Sequence, residues 1–383
     1  MHRYLGCRDV GIAVTARSGP ERSRLARRLE TAVTYKRVVM RQAGQGDDRP
    51  VMLAIAGDSA AGKTTITRGL VAAMAGEGIN SLCVDDYHRF DRQERRSLPF
   101  TPLSPACNYV GIMEQHLQLL AMGEPVLKPV YEHRTGTLGR PVLFEPQEYL
   151  IVEGLLPLHN RLARACFDLS VYVDPPEEIR RHWKIERDVR DRGYAPEQVT
   201  EDLLRREPES AAYIRPQRQW ADIVVRFAPI EERAVAGGIL SATILLRPTA
   251  PHPDLGAILT EDTREAIHLK LARDVDGKPV DALHVHAYAS RDVTRRVEEA
   301  IWRGLGIEDD VPDSLGVIEP GLRSEPLAVV QLLLLYHLRL AKHALRADPS
   351  PHAPSSVSSS KSISLSASGS AGRDGSGPRL SAG

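Results

Sequence analysis

Residues 51–65 read VMLAIAGDSAAGKTT, and this stretch decides the fold. Its first six residues are apolar without interruption, as in a short strand buried on both faces, and Gly57 closes it. A helical pattern runs from Lys63 to Met74. Between them, Gly57-Asp58-Ser59-Ala60-Ala61-Gly62-Lys63-Thr64 fits G-x-x-x-x-G-K-S/T at every fixed position. Such a loop wraps closely enough for backbone N–H groups to face phosphate oxygens, and the helix that follows adds its N-terminal dipole. We expect ATP along Gly57–Thr65, with Lys63 reaching the β- and γ-phosphates and Thr64 on Mg²⁺.

Working outward, further apolar runs alternate with helical sequence. NSLCV (80–84), YLIV (149–152) and LSVYV (169–173) read as strands, Ile112–Met122 and Glu177–Arg192 as helices. That alternation predicts an α/β fold, a mostly parallel sheet with helices on both faces. Beyond it, ILSATILL (239–246), AIHLKLA (266–272) and ALHVHAYA (282–289) alternate like strands exposed on one side, and helices follow at 293–304 and 327–345. The division expected is an N-terminal extension (1–50), a P-loop kinase domain (51–235), a C-terminal α/β appendage (236–345) and a Ser/Gly-rich tail (346–383) expected to be disordered. The extension holds one helix-like stretch, Glu21–Ala32, and a polar linker, Gly44–Pro50.

Composition excludes several classes. In 383 residues, Lys plus Arg and Asp plus Glu stand at 50 each, so no net charge draws the chain to nucleic acid. The four cysteines are widely spaced without a CxxC pair, which points to a reducing compartment and no structural metal. The longest apolar stretches, such as Ala328–Tyr336, fall short of the roughly 20 residues that span a bilayer. A cytoplasmic protein with no membrane partner is the expectation.

Acidic residues sit where an open α/β sheet binds ligands, beyond the carboxyl ends of strands. Asp85-Asp86 follows the second strand and Glu153 ends the third. One of Asp85 or Asp86 suits a base that takes a proton from an acceptor hydroxyl, and a loop that caps the next segment is the alternative. Glu153 suits an acid that orders Mg²⁺. On the helix 180–194, Lys184–Asp188 and Arg187–Asp191 are i,i+4 pairs on one face, with Arg181, Arg190 and Arg192 in excess. The pattern fits a lid of cations over phosphate, or a solvated surface helix. Arg205-Arg206 suits a substrate phosphate; taken alone it is a surface pair.

Six separated blocks resemble the phosphoribulokinase and uridine kinase family: GDSAAGKTT (57–65), CVDDYHRFDR (83–92), KPVYEHRTG (128–136), LIVEGL (150–155), WKIERDVRDRGY (183–194) and YIRPQRQWADIVV (213–225). The resemblance covers about residues 51–228 and is greatest to phosphoribulokinases of plant and cyanobacterial type. It implies Lys63, Asp85 and Asp188 as catalytic residues, Asp85 being the base. It further implies Glu153 and Thr64 at the metal, and Arg187 and Arg192 as lid cations around ATP. His88, Arg92, Tyr131, His133, Lys184, Arg205 and Arg206 would meet a sugar phosphate. The implied reaction moves the ATP γ-phosphate to ribulose 5-phosphate, with Mg²⁺, in a homodimer. Two departures stand out: the family's EGLH has Leu156 in its last place, and Ala61 replaces the P-loop cysteine of plant-type members, leaving Cys83 without that partner. A uridine or other small-alcohol kinase, or a catalytically silent ATP-binding protein, are the rival expectations.

Overall fold

The computed structural model describes residues 49–229 and 240–347, which form one compact unit. The stretch Glu21–Ala32, most of the linker 44–50 and the tail beyond 347 lie outside the described residues. Eight strands make the central sheet: β1 (Val51–Gly57), β2 (Ile79–Cys83), β3 (Tyr149–Gly154), β4 (Leu169–Val173), β5 (Ile223–Ala228), β6 (Ser241–Leu246), β7 (Ile267–Arg273) and β8 (Pro279–Val285). Their order across the sheet is β7-β8-β6-β5-β4-β1-β3-β2. The five from β2 to β5 are parallel, and β6, β8 and β7 join antiparallel. The C-terminal strands therefore continue the same sheet.

β1 shows why its sequence is apolar throughout. Val51, Leu53 and Ile55 enter the core on one face of the sheet, and Met52, Ala54 and Ala56 enter the core on the other. A strand covered on both sides has no position for a polar residue. Among the described residues seven helices accompany the sheet: α1 (Lys63–Ala73), α2 (Val110–Ala121), α3 (Arg161–Ala165), α4 (Glu177–Arg192), α5 (Pro196–Glu209), α6 (Arg291–Gly304) and α7 (Glu325–Ala347). The run Leu327–Leu335 of α7, apolar but for Gln331, is buried and packs with Ile66 and Leu70 of α1. No helix among the described residues is long and apolar enough to cross a membrane. Gln331 is itself fully buried, donating to the carbonyls of Thr65 and Ile66 on α1 and accepting from Gly316 N–H at 2.7 Å.

Local differences from the expected elements bear on the site. The second strand stops at Cys83, and Val84–Tyr87 tightens into a 3₁₀ turn that carries Asp85 and Asp86. α5 continues through a π turn (Ser210–Ile214) and a 3₁₀ turn (Arg215–Trp220). Pro196, Pro208 and Pro216 interrupt the sequence there and hid this helical segment, since proline inside a helix removes a donor N–H.

Candidate active site

Parallel strands β1, β3 and β2 end side by side, with Ile55 opposite Glu153 and Glu153 opposite Cys83 in register. The loop Gly57–Gly62 starts from this edge. Gly57 has φ +154°, and a Cβ there would stand 2.7 Å from the Val173 carbonyl oxygen. Gly62, at φ +97°, would meet nothing within 4 Å, so the space in front of the loop is open for a ligand. Ala60 is held at φ 64°, the only non-glycine with positive φ among the described residues. Such strain persists where surrounding contacts enforce it. Here Asp58 accepts from Ser59 N–H at 2.6 Å, makes a short hydrogen bond with Ser210 Oγ and lies 3.5 Å from Arg180.

Lys63 is buried and donates to the Asp58 carbonyl at 2.8 Å, folded back across the loop. Thr64 Oγ1 donates to Glu153 Oε1 at 2.9 Å. Burial pushes the Glu153 carboxyl up, against the pull of Lys63, and the nearby Asp85 pushes the same way as burial. Two oxygen donors this close, beside a phosphate cradle and a lysine, fit a hard divalent cation such as Mg²⁺, which takes few protein ligands and keeps substrate oxygens and water for the rest.

Asp85 and Asp86 differ sharply in their partners. Asp86 accepts from Lys128 Nζ at 2.5 Å and from Tyr131 N–H at 2.9 Å. Asp85 Oδ1 accepts only from Leu155 N–H at 3.2 Å, and among the described residues Oδ2 has no hydrogen-bond partner. Asp86 thus fixes a flap made by two small ribbons, Val126–Lys128 with Val142–Phe144 and Tyr131–Glu132 with Thr137–Leu138. The flap brings His133 close to Asp85: the ligating atoms of Cys83, Asp85 and His133 lie within 4.8 Å of one another. Arg92 holds the flap's far side, donating to the carbonyls of His133 at 2.5 Å and Arg134 at 3.4 Å. Tyr131 is buried between His88 and His133, ring centroids 4.8 and 5.0 Å away, and its hydroxyl takes a short bond from Arg95. His88 is buried against Asn108 at 2.6 Å, and burial lowers its pKa to about 4, so the ring is neutral at physiological pH.

Helix α4 lies over the loop. Its buried face is Arg180, Lys184 and Asp188, spaced four apart. Asp188 collects three cations: Lys184 Nζ at 2.5 Å, Arg187 at 2.8 Å and Arg192 at 3.2 Å. Burial alone would raise the Asp188 carboxyl, and Lys184 and Arg187 outweigh it and hold it below the usual range. Burial, with Arg206 nearby, lowers Lys184 to about 8. The expected Arg187–Asp191 pair does not form: Arg187 turns to Asp188 and reaches Ser59 Oγ at 3.4 Å, while Asp191 pairs with Arg190 on the solvent side. The lid and the loop are therefore in contact.

Arg205 and Arg206 part company. Both pair with Asp202, but Arg205 stays 52% exposed whereas Arg206 is 18% exposed and lines a small cleft with Asp58, Ser59, Arg180 and Lys184. Leu156, in place of a histidine, is buried in an apolar cluster with Leu103, Leu155 and Ile214. Sequence reasoning missed Arg180, which donates to the Ser59 carbonyl at 3.0 Å, and Ser210 on Asp58. Its position four residues before Lys184 was the available signal for Arg180; nothing in the sequence singles out Ser210.

The model of the phosphoribulokinase / uridine kinase family matches residues 52–234. The phosphoribulokinase of Synechocystis sp. is 39% identical over 182 residues, 48% of this chain and 55% of its own. The chloroplastic phosphoribulokinase of Mesembryanthemum crystallinum is 34% identical over 203 residues, 49% of this chain and 51% of its own. The chain thus spans about half the length of these phosphoribulokinases. A uridine kinase from Anoxybacillus flavithermus is 31% identical over 46% of this chain and 86% of its own. Among solved structures, a phosphoribulokinase from Rhodobacter spheroides superposes with TM-score 0.51 over 78% of this chain and 100% of its own, at 17% identity, a likeness of fold alone.

Proposed function

Because this chain belongs to the phosphoribulokinase/uridine kinase family, we propose that it transfers the γ-phosphate of ATP to ribulose 5-phosphate, giving ribulose 1,5-bisphosphate. The observation that carries the reading is the unequal partnering of Asp85 and Asp86. The acceptor hydroxyl is a weak nucleophile, and Asp85, with one oxygen uncommitted, takes its proton as the phosphorus is attacked. Lys63 leaves the Asp58 carbonyl for the β- and γ-phosphates. Arg187 and Arg192, held at Asp188, offset charge that builds on the transferred group. Thr64 and Glu153 would hold Mg²⁺, which would supply charge stabilisation to the transferring phosphate.

The placement of cations supports a sugar-phosphate acceptor over a nucleoside one. A bound phosphate dianion needs cations, and this chain offers Lys184 and Arg206 in the cleft and Arg92 on the flap. Tyr131 meets both His88 and His133 edge to face, so these rings are already packed against one another. The test is ADP release with ribulose 5-phosphate, uridine, pantothenate and glycerate as acceptors. Ribulose 5-phosphate is expected to exceed uridine in kcat/KM by about 10²- to 10⁴-fold, the worth of two charge-assisted bonds. Faster turnover of uridine would favour the nucleoside kinase reading and sink this one.

A further inference from the structure

We propose that Cys83, Asp85 and His133 form an inhibitory site for a thiophilic divalent cation of the Zn²⁺ class, one that shuts the enzyme by occupying its base. The binding half stands on geometry alone; the inhibition rests on the reading of Asp85 as base. Three donors of different kinds, a thiol, a carboxylate and an imidazole, meet here with their ligating atoms within 4.8 Å of one another. They arrive from three places: the end of β2, the 3₁₀ turn after it, and the flap. Bond lengths of about 2.0–2.3 Å in a tetrahedral site put donors roughly 3.3–3.8 Å apart. The three need to close by at most about 1–1.5 Å, and His133 sits in the turn of a two-residue-per-strand ribbon.

The donor set discriminates against the activating metal. Mg²⁺ prefers hard oxygens in octahedral array, whereas sulfur with imidazole selects Zn²⁺ and its neighbours. The surroundings favour a cation as well. Burial pushes the Cys83 thiol up, and the negative field of Asp85, Glu153 and Asp86 pushes it further, the same field that attracts a divalent charge. On binding, a metal–sulfur bond replaces the S–H bond and the proton leaves to solvent. Asp85 then spends its uncommitted oxygen on the metal and cannot receive the proton of an acceptor hydroxyl. The fourth coordination position is left for water.

Cobalt titration of the full-length chain without substrate reads the site directly, since a thiolate bound to Co²⁺ gives a near-ultraviolet charge-transfer band. The band is expected to saturate near one equivalent, to vanish in Cys83→Ser, and to persist in Cys166→Ser, whose thiol lies buried elsewhere. In assays with Mg²⁺ in large excess, Zn²⁺ should inhibit, and Cys83→Ser, which keeps basal activity, should raise the half-inhibiting concentration about 10- to 10²-fold. No Cys83-dependent band overturns the proposal. A Cys83-dependent band with turnover untouched by Zn²⁺ overturns the inhibition and points to a different base, an outcome distinct from failure to use ribulose 5-phosphate.

Discussion

Lys128 Nζ sits 2.5 Å from Asp86 Oδ2, so the second of two adjacent carboxylates is spent in an ion pair while the first keeps an oxygen uncommitted. Asp85→Asn keeps the shape and removes the proton acceptor. Its kcat should fall by about 10²-fold or more with the KM for ATP unchanged. Asp86→Asn leaves Lys128 without its counter-charge and loosens the flap, so its effect should appear in the acceptor KM. Equal losses of kcat in the two variants would remove Asp85 from the role of base.

Asp188→Asn should be costly to the fold as well as to turnover. Lys184 is 1% exposed, and without its carboxylate it stays buried beside Arg187 and Arg192, three cations with no anion among them. Breaking a buried pair from one side costs about 3–5 kcal/mol, which corresponds to a fall in Tm on the order of 10 °C. A calorimetric scan that finds Tm unmoved would show that the cluster relaxes without its centre.

Acid should destabilise the protein through its buried neutral histidines. Burial lowers both His88 and His337 to about 4, against 6.5 for an ordinary histidine. Between these values the unfolded chain binds a proton that the folded one refuses, so stability is full above pH 6.5 and is lost as pH falls toward 4. Each such residue contributes a slope of up to about 1.4 kcal/mol per pH unit in that window. His337, bonded to the Leu333 carbonyl at 2.7 Å, lies away from the loop and lid. Denaturant unfolding of His337→Gln at pH 7 and pH 5 should therefore show a smaller acid loss than the parent; an equal loss would assign the effect elsewhere.

Arg92→Ala tests the flap. Arg92 ties two flap carbonyls and makes no contact with Gly57–Thr64 among the described residues. The acceptor KM should rise about 10- to 10²-fold, the worth of one charge-assisted bond, with that for ATP unchanged. Steady-state kinetics varying each substrate in turn decide it, and an unchanged acceptor KM would clear Arg92 of this part.

The cradle was legible because its chemistry fixes residue types at fixed spacing, and the strand before it because burial on both faces forbids polar residues. Residue type and spacing alone did not separate Asp85 from Asp86, and only the family resemblance picked Asp85: adjacent carboxylates look alike until Lys128, far along the chain, pairs with one. Arg180 was hidden by its company, since in an arginine-rich helix the buried cation reads like the solvated ones. The strands after residue 240 were legible as strands, but alternation says only that one face is covered. It does not say that β6 pairs with β5 to lengthen an existing sheet.

Gln331 restricts which sequences this fold can use. Its amide fills the place where a side chain on Gly69 would stand: an ideal Cβ there comes 2.0 Å from Nε2. Gly69 is helical with ordinary backbone angles, so room rather than conformation requires the missing methyl. Alanine at 69 would drive the amide off the Thr65 and Ile66 carbonyls, and a shorter residue at 331 would strand the Gly316 N–H inside the core. Two positions at opposite ends of the described chain must then drift together or stay as they are, and aligned relatives would record them as a covarying pair.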